Sequence, residues 1–212
     1  MIHSFVAETG PQPDIRPILE DLYKERSLRP YTIGQTIPMS PDEIWIVCRG
    51  VVQLGTLYAT GDEALLGLAC PSMPFGLPLT SIRPYQASAL TPVDLMRLTL
   101  AEIEDSPELA QGIFRQISRR LSQTEAILSM VGYRRVEERL RHLLLLLKQE
   151  VGQTTHEGTR LTVRLTHQQL ANAIGTTRVT VTRLLNQLRN DGWLLIDRQR
   201  HIIVSSSASL EC

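Results

Sequence analysis

The stretch Leu165-Thr166-His167-Gln168-Gln169-Leu170-Ala171-Asn172-Ala173-Ile174-Gly175-Thr176-Thr177-Arg178-Val179-Thr180-Val181-Thr182-Arg183-Leu184-Leu185 decides the fold of this chain. Thr166 followed by Gln169 is a capping box, which starts a helix. Gly175 supplies the turn, and Thr176 or Thr177 can cap a second helix running from Val179 to Asn190. In that helix Val181, Leu184, Leu185 and Leu188 fall on one face by the i, i+3, i+4, i+7 rule. Arg178, Val179, Thr182 and Arg183 are left on the other face near its N-terminal end. Two short helices joined by a glycine turn are the pattern of a helix-turn-helix, whose second helix enters the major groove. Arginine there pairs with guanine, and a Val or Thr methyl meets the thymine methyl. The plainer alternative is a helical hairpin with a solvated arginine face.

Downstream, Trp193 to Asp197 and His201 to Val204 are strand-like runs around Arg198-Gln199-Arg200. A hairpin with a basic tip has the shape of a wing that lies on a phosphate backbone, although a surface hairpin can carry arginines without that role. The DNA-contacting set expected from both features is Thr166, Gln168, Thr176, Thr177, Arg178, Val179, Thr180, Thr182, Arg183, Arg198 and Arg200.

The 212 residues balance to zero net charge, but unevenly. Residues 134–212 hold 12 Arg or Lys against 7 Asp or Glu, and residues 1–133 hold 10 against 15. A basic C-terminal part beside an acidic N-terminal part fits a nucleic-acid module joined to something else. No apolar run reaches a membrane span, and Met1 to Gly10 lacks a basic region and an apolar signal core, so a cytoplasmic protein without membrane partners is expected. Cys48, Cys70 and Cys212 have neither disulfide-framework nor zinc spacing, so no metal is expected. Cys48 reads as a small core residue.

A helix-like lead-in covers about Pro13 to Arg26. From Tyr31 to Leu98 short β-rich runs alternate with Gly, Pro and Asp, as in Ile44 to Val47, Val51 to Leu54, Ala64 to Leu68, Ala87 to Leu90 and Val93 to Met96. Such spacing predicts a sandwich or barrel-like roll. A long helix follows from about Pro107 to Val131. Phe114, Ile117, Leu121, Thr124, Leu128 and Val131 are spaced 3, 4, 3, 4, 3 along it, a heptad seam that calls for a partner helix. Ile113 and Ile127 widen the stripe enough for a second face to pack on the roll. A wholly intramolecular helix is the other reading. Gly132-Tyr133-Arg134 forms a hinge, and Val136 to Val151 starts a Leu-rich helix. The expected division is 1–106, 107–132 and 133–212, in an α+β chain.

No phosphate loop, G-x-S-x-G elbow or H-E-x-x-H motif is present, so neither an enzyme nor catalytic residues are expected. Glu102, Glu104 and Asp105 read as dipole-favouring acids at a helix start. Glu137 and Glu138 read as surface ion pairs. A β-roll interaction module that does not bind DNA is the alternative of a different class.

A β-roll, a long helix, a hinge and a winged helix-turn-helix, in this order, resemble the Crp/Fnr family of bacterial transcription regulators. Gly34, Ile46 to Gly50, Gly61 and Phe75-Gly76 match landmarks of its cyclic-nucleotide-binding-like roll. Thr176 to Leu185 is most similar to the recognition helix of the family's cyanobacterial nitrogen regulators. Arg83-Pro84-Tyr85, Ala87, Thr91-Pro92-Val93 and Arg120 to Glu125 are similar to that branch too. The resemblance implies a homodimer on a palindromic promoter site of GTA/TAC type, with RNA polymerase as a further partner. Many members place Glu where this chain has Val179, which cannot accept from cytosine. Cyclic AMP-binding rolls carry an acid soon after Phe-Gly, whereas Phe75-Gly76 is followed by Leu77-Pro78-Leu79-Thr80. Cyclic AMP is therefore not expected. The chain has no cysteine before Cys48, which argues against an iron–sulfur cluster. No cofactor is expected. The resemblance implies a 2-oxoglutarate-like effector held by Phe75, Gly76, Leu77, Arg83, Arg120 and Glu125. A ligand-independent regulator is the alternative.

Overall fold

The computed structural model describes residues 26–206 and Ala208, so the lead-in expected to be helical before Arg26, and Cys212, lie outside the described residues. Seven strands build the roll: β1 (Arg29–Tyr31), β2 (Glu43–Arg49), β3 (Val52–Leu57), β4 (Glu63–Ala69), β5 (Pro74–Phe75), β6 (Gln86–Ala89) and β7 (Val93–Thr99). They form two antiparallel sheets, ordered β1-β7-β2-β5 and β4-β3-β6. Trp45 and Val47 from the first sheet and Val52 and Leu54 from the second share one buried core. A short helix α1 (Leu100–Glu104) closes the roll. Glu102 lies in its first turn and completes a capping box with Thr99. Glu104 and Asp105 were expected at a helix start and instead end this helix, Asp105 as its C-cap.

Helix α2 (Pro107–Val131) starts at the Ser106 cap, with proline in its first turn, where the missing N–H costs nothing. Leu109, Ile113, Ile127 and Met130 are buried. Phe114, Leu121, Leu128 and Val131 are 68%, 58%, 72% and 54% exposed, and Ile117 and Thr124 are exposed beside them. The helix thus has two faces, one on the roll and one open.

After the hinge come α3 (Val136–Val151), a hairpin of β8 (Gly152–Thr155) and β9 (Gly158–Leu161), then α4 (His167–Ile174) and α5 (Arg178–Asn190). Strands β10 (Leu194–Ile196) and β11 (Ile202–Val204) complete a sheet ordered β10-β11-β9-β8. Leu140, Leu143, Leu144 and Leu147 of α3 are buried in the same apolar cluster as the roll and the helix-turn-helix. Burying each such side chain contributes about 1.5–3 kcal/mol. Among the described residues no helix is long and apolar enough to cross a membrane, and no group of His, Cys, Asp or Glu is placed to hold a metal ion.

Candidate nucleic-acid interface

The helix-turn-helix is built by local chemistry. The Thr166 hydroxyl accepts from the Gln169 amide, and the Gln169 side chain accepts from the Thr166 amide at 2.8 Å, which starts α4. Gly175 ends α4 at φ 63° and ψ 55°, a left-handed conformation that costs a side-chain-free residue little. Thr177, not Thr176, caps α5 by accepting from the Thr180 amide at 3.2 Å. Val181, Leu184, Leu185 and Leu188 are buried against α4 and the core, so the orientation of α5 is fixed by its apolar face.

The opposite face is open. Thr177, Arg178, Val179 and Arg183 are exposed, Val179 to 78%. An apolar side chain that exposed at the start of a helix is suited to a methyl-bearing partner. Thr176 and Thr180 are half-buried, and Thr180 shares its hydroxyl with Thr177 at 3.0 Å. The Thr182 hydroxyl donates to the Arg178 carbonyl at 2.9 Å and lies 2.7 Å from His167 Nδ1. Its oxygen is thereby tied into the α4–α5 packing. Gln168 is exposed and donates to Asn172 at 2.7 Å.

The wing forms as expected, with Arg198 and Arg200 exposed at its tip. Its shape comes from Asp197, which accepts from the amides of Gln199 and His201, each at 2.8 Å, and from Arg160 Nε at 2.7 Å. Burial opposes ionisation of Asp197, but these hydrogen bonds outweigh it and hold the carboxyl below its ordinary range. Arg160 also donates to Gln199 at 2.9 Å. This residue and the β8–β9 hairpin were missed in the sequence. The threonine-rich run from Gly152 to Gly158 was the available signal.

The residues assigned to an effector are only partly gathered. Arg120 donates to the Pro74 carbonyl at 2.9 Å, beside the fully buried Phe75. It also faces Tyr85, whose phenol is pushed up by burial while Arg120 pulls it down. Gly76 is buried and Leu77 half-buried. Arg83, however, is exposed and turned onto its own loop, donating to the carbonyls of Ile82 at 2.8 Å and Thr80 at 3.1 Å. Glu125 is exposed on α2. Of the Arg83 guanidinium, Nη1 is the nitrogen held by these main-chain carbonyls, whereas Arg120 is held at Pro74. A crevice of about 390 Å³ lies elsewhere, between the roll and the start of α4.

The Crp-like helix-turn-helix domain matches residues 138–212. The chain is 35% identical over 173 residues to the global nitrogen regulator of Nostoc sp., an alignment that covers 77% of this chain and 78% of that protein. It is 34% identical over 171 residues to the regulatory protein CysR of Synechococcus elongatus, covering 79% of each. A cyclic nucleotide-binding domain containing protein of Listeria monocytogenes has the same fold, with a TM-score of 0.76 at 15% identity over 92% of this chain and 100% of that one. Matched over most of its length by regulators more than a third identical to it, and bearing their DNA-binding domain, the chain belongs to the Crp/Fnr family of DNA-binding transcription regulators.

Proposed function

We propose that the chain acts as a homodimer that reads a palindromic promoter site through two copies of α5. The observation that carries this reading is the pairing of open faces on a single chain. The seam Phe114, Ile117, Leu121, Leu128 and Val131 is apolar and exposed on α2, and Arg178, Val179 and Arg183 are exposed on α5. A heptad stripe of that length is stabilised by a second copy of itself. Two-fold symmetry then presents the two recognition helices to half-sites about one helical turn apart. Arg178 and Arg183 read base edges, Thr177 and the methyls of Val179 and Thr182 assist, and Arg198, Arg200, Thr166, Gln168, Thr176 and Thr180 line the approach to phosphates. RNA polymerase is the further partner of a regulator so placed.

Fluorescence anisotropy on a GTA/TAC palindrome, on random duplex and on single-stranded RNA tests the reading across a salt series. A preference for the palindrome that persists while overall affinity falls with salt is expected. Equal binding to all three would overturn it. For the roll, Arg83 is exposed and its Nη1 is engaged by the carbonyls of Thr80 and Ile82, while Arg120 is engaged by Pro74. The geometry therefore favours DNA binding that does not wait for 2-oxoglutarate.

A further inference from the structure

Gln169 uses both ends of one amide. Its Oε1 accepts from the Thr166 amide at 2.8 Å and so closes the capping box of α4. Its Nε2 donates at 3.1 Å to Gln53 Oε1 on β3 of the roll. The capping bond decides which end is which, since the Thr166 N–H requires an acceptor. The donor end is therefore turned toward the roll, and Gln53 must present its oxygen.

The surroundings favour a joint more than a chance touch. Helix α4 packs on β4. The adjoining crevice is walled by Thr36, Gln53 and Ser88 from the roll and by Arg164, Thr166 and Gln169 from the helix-turn-helix. Helix α5 packs on α4 and β10, and Val179 at its start stays open. The docked arrangement thus grips the first helix of the motif and leaves the reading face free.

We infer that Gln53 is a positioning residue, which through Gln169 sets the orientation of the helix-turn-helix on the roll. The inference rests on the homodimer and palindrome reading above. Two recognition helices must meet a palindrome together, so any freedom of one motif relative to its roll is an ordering cost at binding. A lone half-site asks for one motif and carries no such cost.

The test measures the affinity of the full chain, at fixed salt, for a full palindrome and for the same duplex with one half-site scrambled. Gln53→Leu should weaken palindrome binding about three- to tenfold, the net worth of about one neutral hydrogen bond, and leave half-site binding unchanged. Gln169→Glu should retain the wild-type ratio of palindrome to half-site affinity, because its carboxylate still caps Thr166 and Gln53 can turn its amide to donate, while the added charge acts on both duplexes alike. Gln53→Glu combined with Gln169→Glu sets two carboxylates face to face and should weaken palindrome binding at least as much as Gln53→Leu. For Gln53→Leu, equal losses on both duplexes mean general damage, and no loss on either means no positioning; each result overturns the inference. A wild-type chain that binds the palindrome no tighter than the half-site overturns the dimer reading, and this inference with it.

Discussion

Gln123 Oε1 accepts a 2.6 Å hydrogen bond from the main-chain amide of Leu68 and so ties the long helix to the roll. Leu68 lies on β4, an edge strand of its sheet, whose outward N–H groups have no strand partner. Gln123 is 3% exposed, and the neighbouring Gly67 leaves room for it, since a β-carbon there would lie 2.8 Å from Oε1. Gln123→Leu strands the Leu68 amide and should cost about 1–3 kcal/mol in urea denaturation. Gly67→Ala should also destabilise, by displacing the same amide. The losses of Gly67→Ala and Gln123→Ala should then be less than additive in the double variant. Full additivity would show that the two residues do not share this contact.

Leu121→Glu with Leu128→Glu places charge on the seam, where Leu121 and Leu128 are 58% and 72% exposed in the single chain. Because both side chains are open there, the variant should fold normally and scatter light as a monomer. Burying unpaired carboxylates between two helices is costly. A dimer that persists in this variant places the interface elsewhere.

Arg183→Ala should lose about 1–3 kcal/mol on the preferred palindrome and much less on random duplex, as expected for a base-reading arginine. Arg183 is exposed beside the buried Leu184, so the loss carries little folding component. If both duplexes lose equally, Arg183 meets only phosphate.

Calorimetry with 2-oxoglutarate and with cyclic AMP, on wild type and on Arg83→Ala, examines the roll. Neither ligand should release heat in wild type, and DNA affinity should be the same with and without them. Saturable heat with 2-oxoglutarate that disappears in Arg83→Ala would overturn this expectation and show that Arg83 swings away from the carbonyls it holds here.

Acid stability has a readable component at the roll's edge. Glu102 accepts from Arg26 Nη2 at 2.6 Å and from the Thr99 amide at 2.7 Å, which brings its carboxyl from 4.5 down to about 2. A folded-state pKa below the unfolded value means stability that is present above about 4.5 and lost as pH falls toward about 2. Glu102→Gln keeps the cap and loses the ion pair, so its urea midpoint should fall less steeply with acid across that window. The difference should be small because the pair is partly solvated. Identical slopes for the two proteins would remove Glu102 from the account.

How much of this could be read from the residues follows from the range of each interaction. Thr166 with Gln169, Thr177 before Arg178, and Gly175 at a left-handed turn act within a few positions, so the order of letters already states them. The two faces of α2 were readable because helical period separates Phe114 and Leu121 from Ile113 and Ile127. Gln123 was not, because a polar side chain on the roll-facing stripe has a purpose only once the edge amide of Leu68 is known. Gln53 and Gln169 are 116 positions apart, and no local pattern announces their bond. Arg83 is the opposite case: its Nη1 donates to carbonyls one and three residues away, a local contact that the resemblance to the family does not announce.

The apolar cluster that runs from Val52 and Leu54 through Leu143 and Leu144 to Leu170 and Leu184 makes the DNA-binding part poorly detachable. Grafting residues from Val136 onward onto a foreign partner would uncover the side of α4 that packs on β4 and the side of α3 that packs on α2. Cutting the chain at the hinge would do the same to both pieces. Heating the intact protein should melt the roll and the helix-turn-helix in one calorimetric transition rather than two. A single transition would show that parts which follow one another in the chain as separate pieces hold or fail as one body, and two transitions would restore them as modules.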